Sequence, residues 1–466
     1  MEESGVTMES EVSVLTALRS LNFYGARDHL AELGEQALHL ARNAGGTGGI
    51  EAIPSLPFSS QPVAATENLL VIDVGGSFTK GGVRLIRDGA TSWTPLFACR
   101  NQSLEPESYE GSSFHTFAHQ LASLAAREAR AKGVAITTLR HAAVVWSNAI
   151  ALTHSPSEGL VGSVTQREGY RKREWFIRDL RNGDSISEPL MSAFRSAGFP
   201  ISFSIIGNDT PFTLTASPGS HAGMVASTGV NATIIKPASL LTNRASPVDV
   251  VCNTEVGGRF LLTDSIRSSA DTILSPLGED TMVEADTIEC VISGMFLPQI
   301  LASHVVALAH HGVVEFSKVG KTLDAMGMER FQVFDAPLLS LLIKHEFSRA
   351  AQALSPHLHC NEAEFRALGQ LATEIVKRAG ALAGVVAWLS VSERSHEYGV
   401  SKVALDSTLG REIPLFLSEL TRTANQCAGG YGTISIELLK GISTQEGTIS
   451  VPMLGAAHAI DQMIRL

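Results

Sequence analysis

The chain has 466 residues, of which 44% are hydrophobic and 18% charged, enough apolar material for two or three packed domains. Its formal net charge of -11 argues against a nucleic-acid or anionic-membrane partner, whose footprint would be basic. Five scattered cysteines, with no Cys-x-x-Cys or Cys/His cluster, read as reduced thiols. With no basic-then-apolar leader and no run of 18 apolar residues, a cytoplasmic location without membrane spans is expected.

Residues 11–42 carry apolar positions at helical spacing, with a break near Asn22-Phe23-Tyr24-Gly25. A glycine-rich segment at 44–49 ends that region, and Ile53-Pro54-Ser55-Leu56-Pro57 reads as extended chain. Residues 69–74 are continuously apolar and rich in β-branched side chains, the pattern of a strand covered on both faces. Asp73 lies at its end. Gly75-Gly76 permits a sharp turn that brings backbone N–H groups close to an anion. Ser77 and Thr79 add hydroxyls, Lys80 adds a positive charge, and residues 81–85 return as a second strand. Such a turn is either an ordinary hairpin or a clamp for an ATP phosphate tail with Mg2+. It is unlike the strand-to-helix phosphate loop.

Residues 93–99 and 141–146 read as strands and 115–132 as an amphipathic helix. Residues 155–184 read as a polar loop carrying Arg171-Lys172-Arg173. A helix over 186–197 and a strand over 201–206 lead to Gly207-Asn208-Asp209-Thr210. The alternation of strands and helices marks an α/β domain. The second half follows the same pattern, with a strand over 222–226, a turn at Ser227-Thr228-Gly229, and a return strand over 232–235. A strand over 250–254, helices over 296–309, 363–391 and 413–424, a strand over 400–405 and a closing helix over 454–466 follow. The echo of the first hairpin hints at two related halves.

Asp209, at a strand end, suits a general base for a hydroxyl or, equally, a helix cap. Ser227 through Asn231 supply donors at a second turn or form an ordinary turn. Glu255 follows a buried strand, and Glu289 interrupts an apolar helical start where an acid needs a partner or a ligand. Asn, Asp and Glu groups converging on one cleft are what polyol recognition requires, because each sugar hydroxyl both donates and accepts.

In this order the motifs resemble those of the hexokinase family, over about residues 53–457. Asp73-Val74-Gly75-Gly76-Ser77-Phe78-Thr79-Lys80 is similar to the family's first phosphate motif, and Ser227 to Asn231 to its second. Asn208-Asp209-Thr210 resembles the segment with the catalytic Asp, and Asn253-Thr254-Glu255 and Glu289 to Leu297 resemble the sugar-binding segments. Residues 403–407 resemble the adenosine segment. The related ROK sugar kinases usually carry a Cys-rich zinc signature that this chain lacks.

The resemblance implies a two-lobed α/β fold of the actin-like ATPase (ribonuclease H-like) type. Residues 1–66 would pack as helices on the large domain, 67–208 with 448–466 would form the small domain, and 209–447 the large one. It implies an ATP-dependent kinase that phosphorylates the primary 6-hydroxyl of a hexose, glucose by default, with a place in glycolysis and as a monomer or homodimer. Asp209 would be the base. Ser147, Asn148, Asn208, Asn231, Glu255 and Glu289 would hold the sugar. Asp73, Gly75, Gly76, Ser77, Thr79, Lys80, Thr228, Gly229, Asp406 and Ser407 would hold the nucleotide, with Mg2+ near Asp73 and Asp209 through water. The family's Ser-Phe-Pro is Ser147-Asn148-Ala149 here, and its Thr-Lys has no clean match near 167–176. These departures leave open a modified hexose or cyclitol as substrate, or a catalytically weak sugar sensor.

Overall fold

The computed structural model describes residues 8–45, 52–57, 64–76, 78–104, 113–147, 150–155, 159–164, 170–172, 175–177, 179–237, 249–275 and 281–464. The chain opens with α1 (Met8–Ser20) and α2 (Leu30–Arg42), separated at Asn22, which takes a left-handed φ of 55°. The Asn22 side-chain amide donates to the carbonyls of Asp264, Ser265 and Arg267, so the break read in the sequence is also an anchor. β1 (Ile53–Pro57) follows.

The smaller lobe is built on β2 (Leu69–Val74), β3 (Phe78–Arg87), β4 (Ala90–Arg100), α3 (Phe114–Ala131), β5 (His141–Trp146), β6 (Ile150–Ser155), β7 (Gly159–Val164), α4 (Ser187–Ser196) and β8 (Phe203–Gly207). Its sheet runs in the order β4-β3-β2-β5-β8-β7-β6. β2 and β3 pair antiparallel with Asp73 opposite Lys80, and β2, β5 and β8 are parallel. Leu70, Ile72 and Val74 face Phe117, Leu121 and Phe194 of α3 and α4. Leu69 and Val71 face the other way, toward the last helix of the chain. That double coverage is why the run lacks polar alternation. Within residues 155–184, expected to be a polar loop, several of the described residues are strand. β6 and β7 form an antiparallel edge hairpin, and a second short hairpin pairs Tyr170–Lys172 with Trp175–Ile177. In β7 the buried positions Leu160, Gly162 and Val164 alternate with half-buried ones, a strand period masked by small residues.

The larger lobe contains α5 (Asp209–Thr215), β9 (Ala222–Ala226), β10 (Val230–Pro237), β11 (Asp249–Asn253), α6 (Leu297–His310), α7 (Glu362–Val391), β12 (Val400–Asp406), α8 (Pro414–Ala428) and β13 (Thr433–Leu438). Its sheet runs β1-β11-β10-β9-β12-β13, so residues 53–57 form an edge strand of this lobe. From β11 to β13 the order repeats that of β4 to β8: three antiparallel strands, then two more added parallel. The hint of related halves is thus a shared topology. The chain ends with α9 (Val451–Ile464), which covers the second face of the smaller sheet through Met453, Ala456, Ala457 and Ile460. No single helix among the described residues is long and apolar enough to cross a membrane.

α5 and α9 touch where the lobes meet. The Thr215 hydroxyl donates to the Gly455 carbonyl at 2.8 Å, and a Cβ on Gly455 would run into the Phe212 carbonyl oxygen. Both atoms are backbone or helix-borne, so neither yields cheaply. Gly455→Ala is expected to push the two helices apart and cost about 1–3 kcal/mol of stability by overpacking, read as a lower urea midpoint.

The N-terminal helices pack against the larger lobe's core: Val14 and Leu18 of α1 and Leu33 and Ala37 of α2 belong to its main apolar cluster. A buried polar cluster lies beneath them. Arg378 of α7 pairs with Asp271 through both guanidinium nitrogens and sits over the Phe23 ring, 5.1 Å from its centroid. The Ser268 hydroxyl is 2.9 Å from the Leu21 carbonyl and 3.1 Å from His304 Nε2, and His304 Nδ1 is 2.9 Å from the Ile300 carbonyl.

Candidate active site

The ends of β2, β5, β8, β9, β11 and β12 converge on a cleft between the lobes, enclosing about 840 Å³. Asp73, Gly75, Gly76, Lys80, Ser147, Asp209, Thr228, Gly229, Asn231, Glu255, Glu289 and Asp406 all line it. Ser77 and Asn148, expected on the same surface, lie outside the described residues. The carboxylates Asp73, Asp209, Glu255, Asp286, Glu289 and Asp406 and the cations Lys80, Arg411 and Lys440 share this lining.

Asp209 is the first residue of α5. Asn208 caps that helix: its Oδ1 accepts from the Thr210 amide at 3.3 Å and the Thr210 hydroxyl at 3.1 Å. Its Nδ2 donates to the Trp146 carbonyl at 3.3 Å. The two sequence readings of this segment therefore divide between neighbours, the cap falling to Asn208 and the cleft-facing carboxylate to Asp209. Asn208 is buried at 3% exposure beside the cleft-lining Asp209, and its hydrogen bonds orient the start of α5.

From Thr210 a hydrogen-bond chain runs to the acids. The Thr210 hydroxyl donates to Asn253 Oδ1 at 3.1 Å, which also accepts from Asn231 Nδ2 at 2.7 Å. Asn253 Nδ2 then donates to Glu255 Oε1 at 2.6 Å. Asn253 is buried at 1% exposure and is the hub that sequence reading passed over, although it sat beside Glu255 in the motif. Glu255 adopts a left-handed φ of 49° and ψ of 32°, a conformation that costs a non-glycine residue about 1–2 kcal/mol. The Asn253 and Asn231 amides hold its carboxylate in that strained setting.

Glu289 lies in the short helix Ile288–Ile292 and reaches over the second glycine turn. A Cβ built on Gly229 would stand 2.6 Å from Glu289 Oε1, so only glycine lets the carboxylate lie there. Because the obstacle is the tip of a side chain, Gly229→Ala is expected to leave Tm nearly unchanged while displacing Glu289. Loss of one charged hydrogen bond to the substrate would raise the sugar KM about tenfold, measured by steady-state kinetics.

Beside the first glycine turn, Asp73 is buried and accepts from the Ser450 hydroxyl at 2.6 Å. Thr79 is corrected from ligand contact to brace. Its buried hydroxyl donates to Asn101 Oδ1 at 2.8 Å, and Asn101 Nδ2 donates to the carbonyls of Gly75 and Gly76. The Gly75 amide closes the turn on the Phe78 carbonyl at 3.0 Å. Ser407 is corrected in the same sense: its buried hydroxyl donates to the Ala226 carbonyl at 2.6 Å and accepts from the Gly410 amide at 2.9 Å. It ties the end of β12 to the end of β9. Asp406 does face the cleft, paired with Arg411 at 2.7 Å. Arg411 and Lys440 carried no sequence signal beyond being cations. Cys290 also lines the cleft, and burial pushes its thiol up to about 11, so it is protonated and unreactive near neutrality.

Two lobes of repeated topology, with a strand-end aspartate on a helix start, paired glycine turns and clustered carboxylates on the cleft between them, make up an actin-like ATPase fold of the kind found in sugar kinases. Residues 221–448 match the family model described as hexokinase. The fold is similar to that of a hexokinase from Schistosoma mansoni complexed with glucose, with a TM-score of 0.74 and 17% identity, covering 96% of this chain and 99% of that one. It is also similar to a second crystal structure of a hexokinase, with a TM-score of 0.65 and 15% identity over 98% of this chain and 99% of the other. No curated protein sequence matches the chain. Residues 221–448 are thus related to the hexokinase family, which marks the chain as a sugar phosphotransferase.

Proposed function

We propose that the protein transfers the γ-phosphoryl group of ATP to the primary 6-hydroxyl of a hexose, with glucose as the default substrate. The observation that carries this reading is the position of Asp209: it lines the same cleft as Glu255, Glu289 and both glycine turns. The sugar ring would lie on Asn231, Glu255 and Glu289, whose amide and carboxylates pair with adjacent hydroxyls. The Asp209 carboxylate would accept the proton of the 6-hydroxyl as its oxygen bonds to the γ-phosphorus and the bond to the β-phosphate oxygen breaks. Lys80, Thr228 and Arg411 would hold the phosphates, supplying charge where it develops.

The donor set fits a hydrated Mg2+: Asp73 and Asp209 are hard oxygen donors on one cleft, while no cluster of three or more ligating His, Cys, Asp or Glu side chains exists among the described residues. A Mg2+ there would rest on the nucleotide phosphates and water, with the two aspartates orienting that water, and it would offset phosphate charge. Closure of the lobes about the α5–α9 contact would exclude water from the γ-phosphate. Such a reaction would place the protein at the entry of glucose to glycolysis, in the cytoplasm.

Product analysis tests the site of transfer. With glucose and ATP, the NMR spectrum of the product is expected to show phosphorus coupled to the C6 protons. Coupling to the anomeric proton would overturn the assignment of the 6-hydroxyl.

A further inference from the structure

The Asp73 carboxylate is held from the opposite end of the chain. Ser450, immediately before α9, donates its hydroxyl to Asp73 Oδ2 at 2.6 Å across 377 positions of sequence. Both side chains are nearly buried, at 6% and 9% exposure. Ser450 begins the helix, since the Leu454 amide donates to its carbonyl at 3.2 Å. The same helix crosses α5, which starts with Asp209, at Gly455 and Phe212. Thus the two cleft aspartates stand at the starts of two helices that touch where the lobes meet.

We infer that Ser450 is a positioning residue for the phosphate end of the site: it fixes the Asp73 carboxylate toward the cleft and ties its orientation to the helix packed on α5. The inference rests on the ATP-binding reading of the cleft. A hydrogen bond to a charged group, buried on both sides, is among the stronger kinds. Its loss should therefore appear at the nucleotide, not at the sugar, which is bound by groups from the other lobe.

The test uses the full chain and calorimetric binding of a non-hydrolysable ATP analogue, with and without Mg2+, alongside glucose binding. Ser450→Ala is expected to weaken binding of the Mg2+-loaded analogue about tenfold or more, to shrink the gain in affinity that Mg2+ brings, and to leave glucose affinity unchanged. Ser450→Thr, which keeps the hydroxyl, is expected to restore wild-type binding. Unchanged analogue binding in the alanine variant, or equal loss of glucose and analogue binding, overturns the inference. If the alanine variant fails to fold, Ser450→Cys, of similar shape but a weak donor, carries the same comparison. If the wild-type chain does not bind the analogue at all, the ATP reading fails, and this inference with it.

Discussion

Asp209→Ala is expected to lower kcat by about 10²–10⁴ while leaving glucose binding largely intact. The size follows from what a positioned base contributes to proton transfer, equivalent to about 3–5 kcal/mol of barrier. The selectivity follows from geometry. Asn208 caps α5, and Thr210 carries the hydrogen-bond chain to Asn253, Asn231 and Glu255. That chain runs through the neighbours of Asp209, so truncation of Asp209 leaves the ring-binding groups in place. Turnover and calorimetric glucose affinity, measured on the same preparation, separate the two effects. Turnover within a few-fold of wild type would remove Asp209 from the role of base.

Arg378→Ala is expected to destabilise the protein by about 3–5 kcal/mol, the cost of leaving a buried charge without its partner. Asp271 is fully buried, so burial alone would raise its carboxyl. The Arg378 charge and hydrogen bonds, with the Ser268 amide, outweigh burial and hold it below the usual carboxylate range. Burial holds the His304 imidazole below its ordinary value despite the nearby Asp271, so it is neutral. Both groups have folded pKa values below their unfolded ones, and the unfolded chain therefore binds more protons as pH falls. The His304 contribution is complete above its unfolded pKa of about 6.5 and is lost as pH falls below it. The Asp271 contribution persists to lower pH and is lost as pH drops through the acid range below about 3.9. Urea midpoints across pH 4–8 are expected to fall toward the acid side in the wild type. In Arg378→Ala the unfolding free energy from the same titrations is expected to start several kcal/mol lower, because Asp271 then loses its charged partner. The effect reaches the N-terminus too, since Arg378 lies over Phe23 and Ser268 holds Leu21.

Much of the fold was legible because its central strands are covered on both faces. Residues 69–74 and 141–146 are almost wholly apolar, and no solvent-facing element could tolerate that. Strand β7 (Gly159–Val164) was hidden within the expected loop because an edge hairpin needs few large apolar residues, and Gly159, Gly162 and Ser163 mimic a loop. At the site, residue types were legible and orientations were not. A threonine or serine in a glycine turn looks the same whether it faces a phosphate or braces the turn. Thr79 turns to Asn101, Ser407 to Ala226 and Asn208 to Trp146, choices fixed by neighbours 22, 181 and 62 positions away. Asp209, Glu255 and Glu289 were readable for a different reason: an acid at the end or start of an apolar element has no cheap place to go except a ligand or a polar network. Ser450 lies outside every motif and gains its meaning only from contact with Asp73.

The central claim is phosphoryl transfer from ATP to a hexose primary hydroxyl. ADP release measured across a panel of hexoses, with 6-deoxyglucose included, tests it most directly. The account predicts ADP release with glucose or a close hexose relative and none above background with 6-deoxyglucose. Sugars that bind the protein while none of them drives ADP release would contradict it and make the protein a sugar sensor on a kinase fold.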